Sequence, residues 1–125
     1  MAKVLGVGGI FFKSKDPKAL LAWYQTHLGM PDASPYFAKL VPASMPAGGC
    51  TAFTPFSADT DYFAPAQRDF MFNLVVDDLD GALQQVSAAG ATLVGEPQSY
   101  DFGRFGWFLD PDGNKVELWQ PPAAS

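Results

Sequence analysis

The stretch DPDGNKVELWQP, residues 110–121, combines a turn with a strand. Asp-Pro-Asp-Gly at 110–113 supplies residue types that favour a tight hairpin turn. The residues on either side of this turn are rich in apolar and branched side chains, as strands are. The sequence therefore predicts a β-hairpin made of Phe105–Leu109 and Lys115–Gln120.

A strand and a helix are predicted upstream of this hairpin. Phe70–Val76 is apolar enough for a strand, and the carboxylates in Asp77–Asp80 favour a helix start directly after it. The helix should end at Gly90, and it has apolar residues at helical spacing, at Leu79, Leu83 and Val86. A short strand at Ala91–Val94 and a turn at Gly95–Pro97 then lead to the hairpin.

The first half of the chain has a similar order. Val4–Lys13 is rich in branched and aromatic residues and predicts a buried strand. Asp16 as the N-cap, Pro17 in the first turn and Gly29 at the end predict a helix over Pro17–Leu28. Short strands are predicted in the Pro- and Gly-rich part that follows, at Tyr36–Val41 and Cys50–Phe56.

The order of strand, helix with a closing glycine, and short strands thus occurs twice. The two N-cap residues, Asp16 and Asp78, lie 78 − 16 = 62 residues apart. We predict an α+β protein of two tandem βαβββ modules, about 4–56 and 70–121, in a single domain 1–125. In residues 57–69 the apolar residues follow neither the helical nor the strand periodicity, and this segment is assigned to a linker. Side by side, the modules would form one curved mixed sheet whose concave face is a cup for a small molecule.

The composition excludes several classes of partner. The formal net charge is −5 and Lys and Arg total eight, so clustered phosphate contacts and nucleic-acid binding are not expected. The apolar run Val4–Phe12 is too short to span a bilayer, and no membrane partner is expected. The single cysteine, Cys50, cannot form an internal disulfide, which favours a cytoplasmic location.

Three segments carry a resemblance to a known family. They are GVGGIFFKSKDPKALLAWYQTHLG at 6–29, NLVVDDLDGALQQVSAAGA at 73–91 and FGWFLDPDGNKVELWQP at 105–121. Together they resemble the vicinal oxygen chelate superfamily of glyoxalase I, fosfomycin- and bleomycin-resistance proteins and extradiol dioxygenases. The resemblance covers nearly all of the chain and implies the two-module fold.

The resemblance also implies where a metal ion would bind. In metal-using members, the ligands lie on the first and last strands of each module. Glu117 matches the last of these positions, whereas Gly9, Thr51 and Met71 occupy the other three and are poor ligands for a hard cation. The single histidine, His27, falls in the last turn of the first predicted helix, away from the cup. We therefore expect no cofactor, and a divalent metal is disfavoured.

Strand alternation selects the residues that share a face with those positions. On that face lie Lys115 and the predicted ligand contacts Phe11, Asn73, Glu117 and Trp119. Asn73 and Glu117 are the polar pair, and either a ligand or a hydrogen bond between them would satisfy them. A desolvated, unpaired Glu117 would be a candidate catalytic acid or base. Loop or strand-edge residues that could close over the cup are Tyr62, Tyr100, Arg104 and Trp107.

Two functions are consistent with this cup. One is a lyase or isomerase-type enzyme without a full metal site, acting by proton transfer at Glu117. The other is a non-catalytic protein that sequesters a small molecule or drug. The resemblance further implies a homodimer, because family members commonly complete their pocket at a two-fold interface.

Overall fold

The computed structural model describes residues 1–31, 34 and 36–123. The helices are α1 at Pro17–Leu28 and α2 at Leu79–Ala88, with one 3-10 turn at Pro42–Ser44. The strands are β1 at Phe72–Val75, β2 at Thr92–Leu93, β3 at Gln98–Tyr100, β4 at Gly103–Leu109 and β5 at Lys115–Gln120. Within these described residues, neither helix is long and apolar enough to span a lipid bilayer.

Local sequence signals set both ends of α1. The Asp16 carboxylate accepts a hydrogen bond from the backbone N–H of Ala19 at 3.2 Å, and Pro17 lies in the first turn. Gly29 ends the helix in the left-handed conformation, with φ at 62°. The predicted bounds Pro17–Leu28 are confirmed.

The same signals set the start of α2. The Asp78 carboxylate accepts a hydrogen bond from the backbone N–H of Gly81 at 3.1 Å. The residues predicted to face inward are buried, namely Leu79, Leu83 and Val86. The helices begin at Pro17 and Leu79, which are 79 − 17 = 62 residues apart, so the predicted repeat spacing is confirmed for the helices.

One mixed sheet carries all five named strands. Its order is β1-β5-β4-β2, and β3 also pairs with β4. β1 runs parallel to β5, whereas the other pairs are antiparallel. β1 therefore lies at an edge of this sheet. The prediction of an α+β fold with a mixed sheet and two helices is confirmed.

The core lies between one face of this sheet and the two helices. Gly106 of β4 allows α2 to approach closely, because a Cβ there would lie 2.8 Å from Cδ1 of Leu83. Side chains from both helices and from β4 and β5 form the core, and they are Leu20, Tyr24, Leu79, Ala82, Leu83, Val86, Phe108, Val116 and Leu118.

Buried hydrogen bonds join α1 to the β4–β5 turn. The Tyr24 hydroxyl and Asn114 Nδ2 both donate to Oδ2 of Asp110, at 2.8 and 2.9 Å. The other oxygen of Asp110 accepts from the backbone N–H groups of Asp112 and Asn114, each at 2.9 Å. Burial, and then the negative charge of Asp110, raise the pKa of the Tyr24 hydroxyl above its ordinary value. The predicted turn is confirmed, since the Gly113 N–H donates to the Asp110 carbonyl at 2.9 Å.

The first half differs from its prediction. Val4–Lys13, predicted as a buried strand, is exposed and has no strand in the structure. The described residues of Tyr36–Val41 and Cys50–Phe56 lie outside the named strands too, although Ser34 and Phe37 form an isolated bridge. A strand is stable only beside a partner, and the glycines of the first segment offer no side chain to pack. As far as its described residues go, the first half therefore contributes a helix, α1, but no strand of the sheet.

The second half agrees with its prediction except for β3. The strand Lys115–Gln120 is confirmed, and β1, β2 and β4 overlap the strands predicted for those stretches. β3 was not predicted; it pairs with the start of β4, and all three of its residues are exposed. Because none of these side chains enters the core, no apolar pattern marks β3 in the sequence.

Candidate functional site

Three adjacent strands place a row of side chains across the face of the sheet that the helices leave uncovered. Asn73 of β1 lies opposite Glu117 of β5, and Glu117 lies opposite Trp107 of β4. Because successive side chains alternate, Glu117 points away from the buried neighbours Val116 and Leu118. We call this side of the sheet the open face, and it carries Asn73, Phe105, Trp107, Lys115, Glu117 and Trp119.

The carboxylate of Glu117 accepts three hydrogen bonds from side chains. Asn73 Nδ2 donates to Oε1 at 2.7 Å, while Trp107 Nε1 and the Tyr62 hydroxyl donate to Oε2 at 2.8 and 2.5 Å. Glu117 is only 8% exposed, so these bonds offset the cost of burying a charge. The structure therefore brings Asn73, Glu117 and Tyr62 together. Of the two predicted alternatives for Asn73 and Glu117, a ligand or a mutual hydrogen bond, it contains the hydrogen bond, so Glu117 is not unpaired.

The side chain of Lys115 binds the main chain of Tyr62. Its Nζ donates to the Tyr62 carbonyl at 2.6 Å and lies 4.9 Å from the centroid of the Tyr62 ring and 5.8 Å from that of Trp107. Desolvation lowers the pKa of Lys115. Burial and the hydrogen bond to Glu117 raise the pKa of Tyr62. Two neighbouring side chains of one strand thus fix both the main chain and the hydroxyl of Tyr62.

Aromatic rings gather at the end of the open face nearest Gly103. Trp119 stacks on Phe105, with centroids 6.1 Å apart and planes 5° apart, and its Nε1 donates to the Phe102 carbonyl at 2.8 Å. Tyr100 stacks on Phe102 at 5.1 Å, and both rings are more than half exposed. The predicted contacts Trp119 and Tyr100 therefore lie on one aromatic patch, beside the row that contains Glu117.

Arg104 and Phe11 lie elsewhere. Arg104 precedes Phe105 on β4 and so projects to the helix side, where its guanidinium bonds Asp80 at 3.0 and 3.1 Å. This hydrogen bonding lowers the pKa of Asp80. Phe11 is 96% exposed in a segment without a strand. These two residues therefore lie apart from the row that contains Glu117 in this structure.

A separate shallow cavity of about 340 Å³ lies where β2 and β3 part along β4. Leu83, Leu93, Gly106 and the segment Gly95–Pro97 contribute to its wall. Of the predicted site residues, Trp107 reaches it, but Glu117 and Asn73 do not line it. The polar row and this cavity are thus different places on the sheet.

A family model described as "Glyoxalase-like domain" matches residues 9–119. The chain belongs to the glyoxalase-like domain family. This glyoxalase-like protein is accordingly a member of the vicinal oxygen chelate superfamily, as its sequence segments indicated.

Other proteins resemble this glyoxalase-like protein in part or in whole. Metapyrocatechase 2 of Cupriavidus necator is 43% identical over 54 residues, which cover 43% of this chain and 17% of that protein. VPC_CASS1, from the mobile metagenome of V. Pseudocholerae, aligns with a TM-score of 0.58 and 18% identity over 96% of this chain and 97% of that chain. The oxidase ChaP-H2 aligns with a TM-score of 0.53 and 23% identity over 90% of each chain. At these identities the two structures show a shared fold.

The resemblance implies that a metal ion would bind at Glu117, but the residues of this glyoxalase-like protein do not fit one there. N–H and O–H donors already face both carboxylate oxygens, and a cation would have to displace them. Gly9 and Thr51 are exposed, since the strands expected to bring them to Glu117 are not formed, and Met71 offers a soft thioether. Among the residues that the structure describes, no three His, Cys, Asp or Glu side chains converge to hold an ion.

Sequence reasoning placed Trp107 at a loop or strand edge, and the structure corrects this. Trp107 lies inside β4, directly opposite Glu117. A signal for this pairing was available, because the turn at 110–113 fixes the register of the hairpin on both sides. Phe56, whose ring stacks on Tyr62 at 5.7 Å, was not predicted and has no comparable signal.

Proposed function

We propose that this protein binds a small organic molecule on the open face of the sheet, at Glu117, without a metal ion. The observation that carries this proposal is the row of Asn73, Glu117 and Trp107, which places a buried carboxylate on the face that the helices leave uncovered. A buried charge costs several kcal/mol of desolvation, roughly, and structural stability alone does not require one on that face. A ligand with hydrogen-bond donors would use the same carboxylate.

The side chains around Glu117 are hydrogen-bond donors and not metal ligands, which is why the proposed binding does not involve a metal ion. A hard cation needs several oxygen or nitrogen ligands that converge on one point. Around Glu117 the structure instead places the N–H groups of Asn73 and Trp107 and the O–H group of Tyr62. These groups favour a carboxylate that receives hydrogen bonds.

A metal-free enzyme is the second candidate, and one contact favours it. The Tyr62 hydroxyl lies 2.5 Å from Glu117 Oε2, so an exchangeable proton lies between a phenol and a carboxylate at the binding surface. Proton transfer to or from a bound substrate through Glu117 would suit a lyase or isomerase. Turnover lost in Glu117→Gln, with ligand binding retained, would select this function over sequestration.

Thermal-shift screening of a small-molecule library tests the binding proposal. A compound that binds only the folded state raises the unfolding temperature by mass action. Hits should lose most of their effect in Glu117→Gln but keep it in Glu96→Gln, the matched control at the other, exposed glutamate. Hits that respond equally to both substitutions would contradict a site at Glu117. Metal analysis of the purified protein should give no stoichiometric divalent ion.

We also propose a homodimer in a cytoplasmic setting. Among the described strands β1 lies at an edge of the sheet, and Val4, Leu5 and Phe11 are 89–96% exposed, so a strand edge and apolar side chains are available to a second copy. The single cysteine, Cys50, is exposed and free, which suits a reducing compartment. Light scattering after size exclusion should give twice the 13.4 kDa of one chain. A mass of one chain at micromolar concentration would contradict the dimer.

A further inference from the structure

Of the three donors to Glu117, Tyr62 is the one that does not belong to a strand of the sheet. Asn73 and Trp107 belong to strands that pair with β5 on either side. Tyr62 lies in a segment without strand or helix, is 38% exposed, and reaches Glu117 across 55 residues of sequence. Its hydroxyl is therefore the donor that can leave without breaking the sheet.

The Tyr62 side chain is itself a phenol, and it packs against other aromatic rings. Its ring lies edge-on to Trp107, with centroids 6.4 Å apart and planes at 85°, and stacked on Phe56 at 5.7 Å and 22°. The ammonium of Lys115 lies 4.9 Å from its centroid. Its hydroxyl meets Glu117 at 2.5 Å. The open face thus already accommodates a hydroxylated ring through four different contacts.

We propose that the ligand is a neutral hydroxyaromatic compound, and that Tyr62 occupies its place until the ligand displaces it. This inference rests on the binding function proposed above and names its ligand class. The carboxylate selects for a hydroxyl donor, because an apolar ring would leave Oε2 of Glu117 with one donor fewer. The ammonium selects for an electron-rich ring. An anionic ligand would place its charge beside Glu117.

Removing the Tyr62 side chain should open the site while leaving its segment in place. Lys115 Nζ holds the Tyr62 carbonyl at 2.6 Å, and this contact does not depend on the side chain. The Tyr62→Ala variant should therefore keep Phe56 and Trp107 near a vacated volume that has the shape of 4-methylphenol, the free analogue of a tyrosine side chain. Toluene has the same ring and methyl group but lacks the hydroxyl.

The experiment titrates 4-methylphenol and toluene into the wild-type protein and Tyr62→Ala, and follows the three indole N–H signals by NMR. In Tyr62→Ala, 4-methylphenol should bind about tenfold or more tightly than toluene, because the hydroxyl regains a charge-assisted hydrogen bond. It should bind the variant about tenfold or more tightly than the wild type, where the tethered Tyr62 competes. The Trp107 signal should shift most, because its N–H shares Oε2 with the phenol.

Two further variants give this test its controls. Tyr62→Ala combined with Glu117→Gln should lose most of the preference for 4-methylphenol over toluene. Tyr36→Ala, at an exposed tyrosine outside the open face, should bind both probes as the wild type does. If Tyr62→Ala does not fold, Tyr62→Phe replaces it. The phenylalanine ring has no hydroxyl to donate to Glu117, so 4-methylphenol should displace it more readily than it displaces the wild-type tyrosine.

Equal binding of the two probes, or a dominant shift at Trp23 or Trp119, would overturn the assignment of the ligand class. If an aliphatic library compound then bound in a Glu117-dependent way, the proposed binding function would still stand. If neither 4-methylphenol nor any library compound showed dependence on Glu117, both proposals would fall.

Discussion

The two halves of this chain share an order of sequence signals but not a structure. Residues 70–121 form the sheet and most of the core, with Phe108, Val116 and Leu118 fully buried. Residues 4–56 contribute α1, whereas the described parts of the segments predicted as strands lie outside the sheet. The helices in both halves begin 62 residues apart, at Pro17 and Leu79, with an aspartate cap before each. The difference therefore lies in the strands.

A helix satisfies its backbone from within, whereas a strand needs a neighbour. Asp16 with Pro17 and Asp78 with Gly81 act over one turn, so the sequence alone determines these ends. In the second half, the turn at 110–113 brings β4 to β5, and the crossover through α2 then brings β1. Among the described residues of the first half, no hairpin pairs two of the named strands, so the predicted strands there lack a partner.

Hydrogen exchange gives the largest expected contrast between the halves. At the lowest workable protein concentration, the amides of Val4–Phe12 should exchange at least about 10³-fold faster than those of β5, because exchange in the core requires global opening of about 5 kcal/mol or more. Protection of Val4–Phe12 that rises with concentration would support pairing with a second copy. Protection that is independent of concentration would mean that the segment forms a strand within one chain.

Truncation of a leucine in each half should show the same contrast in stability. Leu118→Ala removes a fully buried side chain between the sheet and the helices, and should lower the free energy of unfolding by about 2–5 kcal/mol. Leu5→Ala is the matched control in the first half, where the side chain is 89% exposed, and should change it by less than about 0.5 kcal/mol. Urea denaturation of both variants measures this, and similar losses would contradict the contrast.

Tyr24→Phe tests the contact that joins the halves. The substitution removes the hydroxyl that donates to Asp110, while Asp110 keeps its other donors. The free energy of unfolding should fall by about 1–2 kcal/mol at neutral pH. The pKa of Tyr24 is raised in the folded state above about 10, its unfolded value. Below pH 10 both states keep the proton and the full stability is present. Above pH 10 the unfolded chain releases it first, so stability falls as pH rises.

The difference in unfolding free energy between wild type and Tyr24→Phe should therefore shrink as pH rises above about 10. Denaturation in urea at pH 8, 10 and 11 would show it. Tyr62→Phe removes a second tyrosine with a raised pKa and should act in the same direction. A gap for Tyr24→Phe that is constant or widens with pH would contradict the assignment.

The sequence predicted the polar pair at the centre of the candidate site, because strand alternation selects the face on which each side chain lies. Glu117 follows from the closing segment at 110–121, and Asn73 from strand alternation, and the structure places them 2.7 Å apart. Tyr62 was predicted only as a residue that could close over the cup, because no periodicity fixes the segment that carries it. The sequence did not fix the face of Arg104, because this residue precedes the predicted start of β4 at Phe105. In the structure β3 pairs with residues 103–105, and β4 begins at Gly103.

Arg104→Ala is the smallest expected effect and checks which face of β4 that residue occupies. Arg104 and Asp80 are exposed, and such pairs contribute little to stability and less as salt rises. The variant should unfold close to wild type at neutral pH. The hydrogen bonds from Arg104 lower the pKa of Asp80, so their contribution is present above the unfolded pKa of aspartate and is lost as pH falls through the folded value. The gap between wild type and Arg104→Ala should therefore close in acid, and it should be matched by Asp80→Asn.

The same variant should not change ligand binding, because the guanidinium lies on the helix side of β4. Arg104→Ala should leave the affinity of any Glu117-dependent ligand unchanged. A weakened affinity would place Arg104 on the open face.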